Sequence, residues 1–163
     1  AGSCSTATRG QVAAALAAGT PALKLDVEAI ADGRQTAAAV AGWVAENTGE
    51  RPALVYSSAE PADVARVQEK FGVAAAGALV EELLAAVARD LLGRGFTRFL
   101  VAGGETSGAV VGALGVTALE IGPEIDPGVP WTRARGGPDV ALALKSGNFG
   151  APDFFLKSWS LLS

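Results

Sequence analysis

The chain has 163 residues, half of them apolar, with one cysteine, no histidine and a formal charge of -4. That length suits one ordinary domain with a proper core and is short for two. The missing histidine excludes Ser-His-Asp and Cys-His nucleophilic schemes, the lone Cys4 cannot close an intrachain disulfide or complete a metal site, and no basic run offers a footprint for nucleic acid or an acidic membrane.

The opening Ala1-Gly2-Ser3-Cys4-Ser5 is turn-type sequence with no strand before it to hang from, and is read as the start of an excised piece of a longer protein. Thr8 is expected to cap a helix over Arg9 to Ala18, closed by Gly19. Ala22 to Val27 reads as extended, Asp32-Gly33 as a turn, and Arg34 to Asn47 as a helix in which Val40, Trp43 and Val44 recur at helical spacing. Leu54-Val55-Tyr56 is a short strand, and Pro61 opens a helix through Val64 and Val67. The longest helical pattern runs from Ala74 to Gly93, with Leu79, Val80, Leu83, Leu84, Val87, Leu91 and Leu92 on one broad apolar face.

Phe99 to Ala102 follows as a buried strand, then a glycine turn and a helix from Ala109 to Leu114. Leu119 to Ile121 is a strand, and Gly122 to Asp139, with four prolines and four glycines, is expected to be a long loop of the kind that is functional or mobile. Val140 to Lys145 is extended, Ser146 to Gly150 a turn, and Pro152 to Leu162 a closing helix. Regular alternation of strand and helix predicts an α/β fold: a largely parallel sheet with helices on both faces, in a single domain. Every apolar stretch is broken by charge or glycine well short of a membrane span, the first residues lack the basic flank and apolar run of a signal peptide, and an unpaired cysteine suits the reducing cytoplasm.

Three turns have the chemistry of an oxyanion site: Gly2 to Thr6, Gly103 to Gly108, and Ser146 to Gly150. Glycines let backbone amides approach a phosphate closely, and small hydroxyls add donors, above all where a strand hands over to a helix. Any one of them is also ordinary turn punctuation. Their combination points to a phosphate or nucleotide ligand. The central turn, Gly103-Gly104-Glu105-Thr106-Ser107-Gly108, lacks the Lys-Ser/Thr ending of a P-loop and the third glycine of the dinucleotide fingerprint, so both readings are disfavoured.

Other residues leave two readings open. Glu105 either meets a ribose hydroxyl or a magnesium-bound water, or simply favours a helix start. Lys145 either reaches a phosphate or is solvated at a strand end. Glu124 and Asp126 either contact magnesium through water or are surface charge. Cys4 has no activating base and reads as incidental. Trp131, in the long loop, is the aromatic expected nearest a ligand.

Four ordered blocks carry a resemblance. They are Gly2-Ser3-Cys4-Ser5 with Ala7-Thr8 and Gln11-Val12; Val101 to Val110; Ile121 to Trp131; and Leu144 to Gly150 with Asp153-Phe154-Phe155. Together they resemble the four-carbon acid sugar kinase family, and within it the 3-oxo-tetronate kinases. In that family an N-terminal domain binds the acid sugar and a C-terminal domain binds ATP, so the likeness implies that residues 1–163 are the nucleotide-binding domain alone. It implies that Ser3 and Ser5, the run Gly103, Gly104, Glu105, Thr106 and Ser107, and Gly147 with Asn148 contact ATP, used with Mg2+ and with no metal ligand from this chain. The acid sugar and the catalytic base would belong to the other domain, leaving this piece inactive alone. Threonate and erythronate kinases tend to carry Asp-Thr-Ala in the central turn, and Glu105-Thr106-Ser107 points instead to 3-oxo-tetronate. A threonate or erythronate kinase domain, and a non-catalytic sugar-phosphate-binding module, stand as alternatives, and a homo-oligomer is left open.

Overall fold

The computed structural model describes residues 1–59 and 61–161. Its first helix, α1 (Thr6–Ala17), is capped by Ser5, whose hydroxyl accepts from the Thr8 amide at 3.2 Å. The cap therefore falls three residues before the expected Thr8, which sits inside the first turn with its side chain buried. Strand β1 (Ala22–Lys24) is shorter than expected, because Asp26 accepts from the Glu28 and Ala29 amides and starts α2 (Val27–Ala31). Five residues are too few to show a helical period in the sequence. Helix α3 (Ala37–Asn47), capped by Thr36, buries Val40, Ala41 and Val44.

Strand β2 (Leu54–Tyr56) precedes α4 (Pro61–Phe71) and the long α5 (Val73–Gly93). In α5 the buried residues Ala76, Val80, Leu83, Leu84, Val87, Ala88 and Leu91 fall at steps of three and four, which places them on one stripe. Burial of each large aliphatic side chain there stabilises by about 1.5–3 kcal/mol. Strand β3 (Arg98–Ala102) leads directly into α6 (Gly104–Ala113). The remaining elements are β4 (Ala118–Asp126), β5 (Val129–Arg135), β6 (Ala141–Lys145), the short α7 (Phe154–Lys157) and a 3-10 turn over Ser158–Leu161. The expected closing helix to Leu162 is thus two short pieces, and Leu162 itself lies outside the described residues.

The α/β class and the single domain hold, but the sheet is not largely parallel. β1 and β2 form a parallel pair, while the second sheet has the order β3-β6-β5-β4, in which only β3 and β6 run parallel. The antiparallel half comes from the segment expected to be a long loop. Residues Gly122 to Asp139 instead supply much of a hairpin, turning at Asp126-Pro127-Gly128-Val129 with Gly128 at φ +77°. Proline followed by a positive-φ glycine is the chemistry of a type II turn. Pro123 is tolerated because β4 is the edge strand and its register shifts between Ile121 and Glu124 and again before Asp126, and Pro130 because it precedes the residues of β5 that pair with β6.

Alternate residues of β3 and β6 feed separate cores. Phe99, Val101 and Leu142 pack with Val40, Val44, Val80, Leu84 and Val87 under α3, α5 and α6. Ala102 and Ala143 pack with Val12, Ala15, Val129, Trp131, Phe154 and Phe155 under α1 and α7. Helices therefore cover both faces, as expected. Among the described residues no single helix is both long and apolar enough to cross a membrane; α4 and α5 together are, but only as a pair bent by 101°.

Candidate functional site

Parallel pairing of β3 with β6 brings Ala102 and Lys145 side by side, so the turns that follow them leave the sheet together. The Gly103 amide donates to the Lys145 carbonyl at 2.9 Å. The opening segment joins them, because the Gly2 and Ser3 amides both donate to the Ala102 carbonyl, at 2.9 and 3.2 Å. All three glycine-hydroxyl turns thus meet at one end of β3 and β6.

The central turn is tighter than its sequence suggests. Gly103 adopts φ +127° and ψ 130°, a conformation L side chains rarely take, and reverses the chain in one residue. Helix α6 accordingly begins at Gly104, not Ala109, and Glu105, Thr106 and Ser107 form its first turn. The Ser107 amide donates to the Gly103 carbonyl at 2.9 Å, and the amides of Gly104, Glu105 and Thr106 precede that bond, where a helix has donors without internal acceptors. No side chain caps this end. Gly104 and Glu105 are exposed, and a Cβ at Gly104 would meet only open space. Ser107 is buried and its hydroxyl has no hydrogen-bond partner.

Close approach governs the other two turns. A Cβ on Gly2 would lie 2.1 Å from Thr106 Oγ1, and one on Gly147 would lie 2.4 Å from Ser3 Oγ and 3.1 Å from Ser5 Oγ. Ser3 Oγ accepts from the Ser5 amide at 3.2 Å, while the Ser3 carbonyl accepts from Ser58 Oγ at 2.6 Å. Ser5 Oγ is occupied by the fold: it caps α1 and donates to the Gly147 carbonyl at 2.5 Å. Asn148 is exposed at the tip of the third turn.

Lys145 is neither solvated nor turned outward. It is 1% exposed, and its ammonium donates to Thr8 Oγ1 at 2.9 Å and to the Ser146 and Gly147 carbonyls at 3.2 and 3.1 Å. Burial pushes its pKa down to about 8. Thr8 Oγ1 in turn donates to the Gly147 carbonyl at 2.9 Å, so Lys145, Thr8 and Ser5 all hold one peptide of the third turn. Gln11 Nε2 lies 3.0, 2.9 and 3.1 Å from the carbonyls of Phe149, Gly150 and Ala151 and fixes the turn's exit. Sequence reading missed Thr8 and Gln11 in these roles; a buried threonine and glutamine on the apolar stripe of α1 were the available signal.

The remaining candidates lie elsewhere or serve the fold. Glu124 accepts from the Gly128 amide at 3.1 Å across the hairpin turn. Asp126 accepts from the Ala151 amide at 2.8 Å and pairs with Lys157 at 2.6 Å. Trp131 is a strand residue, 2% exposed, donating from Nε1 to the Ser158 carbonyl and packed on Trp159 with ring centroids 5.5 Å apart. It belongs to the core because its loop is a hairpin. Cys4 is half-buried with Sγ 4.0 Å from the Ser57 carbonyl.

A cleft of about 590 Å³ opens beside the α6 start, lined in part by Gly2, Ser57, Glu105 and Thr106, with Lys24 and Arg66 also on its wall. Such a volume falls within the ~300–1,000 Å³ of small-molecule sites. Glu81 also borders it, its carboxyl raised above the ordinary range first by burial and then by the neighbouring Glu105 carboxylate. Among the described residues no group of three or more acidic, cysteine or histidine side chains could hold a metal ion.

Residues 1–155 match the family described as the nucleotide-binding C-terminal domain. A 3-oxo-tetronate kinase of Cupriavidus necator is 56% identical over 155 residues, covering 95% of this chain and 35% of the relative. One from Pseudomonas savastanoi pv. phaseolicola is 49% identical over 163 residues, 100% of this chain and 38% of the relative. The chain therefore spans little more than a third of the curated relatives it matches. The crystal structure of a Haemophilus influenzae protein superposes with a TM-score of 0.91 at 38% identity, covering 99% of this chain and 39% of that one. A Bordetella bronchiseptica protein, crystallised as a domain-swapped dimer with bound citrate, superposes at 0.69 with 25% identity, covering 96% of this chain and 38% of its own.

Proposed function

The chain belongs to the nucleotide-binding C-terminal domain family, and from that premise we propose that it is the ATP-holding portion of a kinase that phosphorylates a four-carbon acid sugar. The acceptor we assign is 3-oxo-tetronate, giving the 4-phosphate, in keeping with the names of the relatives that align with the whole chain. The observation that carries the reading is the uncapped start of α6, where the amides of Gly104, Glu105 and Thr106 have no helical acceptor, Gly104 and Glu105 are exposed, and a Cβ at Gly104 would meet only open space. A helix start presents roughly half a positive elementary charge together with unpaired donors, which suits phosphate oxygens.

Phosphoryl transfer asks the protein for positioning and charge neutralisation more than for covalent chemistry. In this reading Gly103 to Thr106 cradle the phosphates and the buried, unpartnered Ser107 hydroxyl is a further donor. Ser3 and the Gly147-Asn148 tip border the same space. Ser5 acts at one remove, holding Gly147 in place. Magnesium arrives as counter-ion of the triphosphate, the setting is cytoplasmic, and the acid sugar and base come from the rest of the full-length protein.

Titration calorimetry of the chain with ATP and magnesium tests the nucleotide assignment: binding heat is expected, and none on a folded sample overturns it. Gly104→Val should abolish that heat while leaving Tm nearly unchanged, since a first-turn Val costs a helix under about 1 kcal/mol and fills the phosphate's approach. Undiminished binding by the variant makes the turn merely structural. Assay of the full-length protein against 3-oxo-tetronates, threonate and erythronate decides the acceptor.

A further inference from the structure

Two strand edges face each other without a ladder between them. Among the described residues β2 pairs only with β1, and β3 only with β6. Residues of a strand bond alternately to either side. Leu54 N–H donates to Pro21 and Tyr56 C=O accepts from Leu25, so Val55 points away from β1; Thr97 C=O accepts from Ala141 and Gly103 N–H donates to Lys145, so Leu100 and Ala102 point away from β6. Paired donors and acceptors are the rule for interior strands, and bare facing edges are not.

At one end this gap is already bridged. The Ala1 amine donates to Val55 C=O at 2.6 Å, Ser57 N–H donates to Ala1 C=O at 3.0 Å, and Gly2 N–H donates to Ala102 C=O at 2.9 Å. Ala1 thus bonds to the residues on either side of Tyr56, which is the parallel ladder pattern. Successive residues of one segment reach both strands, so the gap is one strand wide, about 4.8 Å on each side. Behind Ala1 it continues as an apolar groove of about 540 Å³, running back past Val55 and Leu100 to Ala53 at the start of β2 and Arg98 at the start of β3. Leu84 and Val87 of α5 form its floor.

We propose that this groove takes one parallel β-strand, supplied by the polypeptide joined to the amino end of Ala1 in the full-length protein. The added strand merges the two sheets into one, in the order β1, β2, added strand, β3, β6, β5, β4. Four residues at about 3.3 Å each reach from Ala1 back to the start of β3. They are apolar and β-branched on both faces, because cores lie on both sides of β3. The curated relatives carry ample chain for it, since this one makes up 35–38% of their length. All three glycine turns would then follow parallel strands lying side by side, the arrangement in which α/β sheets hold ligands beyond their carboxyl ends. The strand assignment stands without the nucleotide reading.

Amide hydrogen exchange on the full-length protein tests it. Val55, Leu100 and Ala102 are expected to exchange at least 100-fold more slowly than an unpaired edge amide, matching Val101, which bonds to β6. Proline in place of the residue immediately before Ala1 should speed Leu100 and Ala102 tenfold or more and leave Val101 unchanged. Should that variant fail to fold, the wild-type rates decide alone: fast exchange at Leu100 and Ala102 overturns the strand. Protection present in dimers and lost in the isolated monomer would mean that a second copy supplies the strand, and overturns its assignment to the same chain.

Discussion

A Cβ on Gly2 would meet Thr106 Oγ1 at 2.1 Å and its Cβ and Cγ2 at 3.2 Å each, so no rotation of Thr106 clears the way. Gly2→Ala should therefore destabilise the chain by about 1–3 kcal/mol, as overpacking does, and weaken ATP binding by displacing Ser3 from the start of α6. Adding Thr106→Ala should restore most of the stability; equal denaturant midpoints for the single and double variants would show that the contact does not matter. The need for glycine at Gly2, Gly103 and Gly147 was legible in the sequence as turn chemistry. For Gly2 and Gly147 its cause was not, since the obstructing hydroxyls come from residues far along the chain, whereas Gly103 is required locally by its φ of +127°. Lys145 shows the same limit. A lysine at a strand end reads as surface charge, and only the arrival of Thr8 and the folding back of Ser146 and Gly147 make it a buried clamp.

Among the elements, α6 and the β4–β5 hairpin depart most from their sequence signals. Glycine and proline are read as breakers, yet Gly103 starts a helix at once, Pro127 sits in the hairpin turn, and Pro123 and Pro130 lie within β4 and β5. The hairpin is tied to the C-terminal segment by Asp126, whose side chain is 12% exposed. Burial works to raise its carboxyl, but the bonds from Lys157 and the Ala151 amide outweigh that and hold it below the ordinary value of 3.8. A carboxyl depressed in the folded state binds fewer protons than in the unfolded chain, so its contribution is present above the unfolded pKa and is lost as pH falls through the folded one. Asp126→Asn should cost about 1 kcal/mol at neutral pH and flatten the fall in stability below about pH 4. Parallel acid slopes in urea titrations of the two proteins would overturn this.

For the molecule as a whole, the proposed chemistry needs two parts. In the proposed reading the chain supplies the phosphate cradle, and an aligned acceptor and its base come from the remainder of the full-length protein. Because holding two reactants together contributes so much of such a rate, ADP release by the isolated chain with ATP and 3-oxo-tetronate should be lower than that of the full-length protein by on the order of 10³-fold or more. Turnover by the chain alone at a comparable rate would place acceptor site and base within these residues.

The sequence by itself determined the α/β class, the long apolar stripe of α5, the β3 strand and the family, because apolar period and glycine-hydroxyl blocks are local signals read along the chain. Tertiary structure alone decided that the three turns converge and that Lys145 and Ser5 serve the third turn. It decided too that Trp131 is core, that two of the three ladders in the larger sheet are antiparallel, and that β2 and β3 leave one strand's width between them. Each of these depends on hydrogen bonds between residues distant in sequence, and strand pairing of that kind leaves no mark on either partner alone.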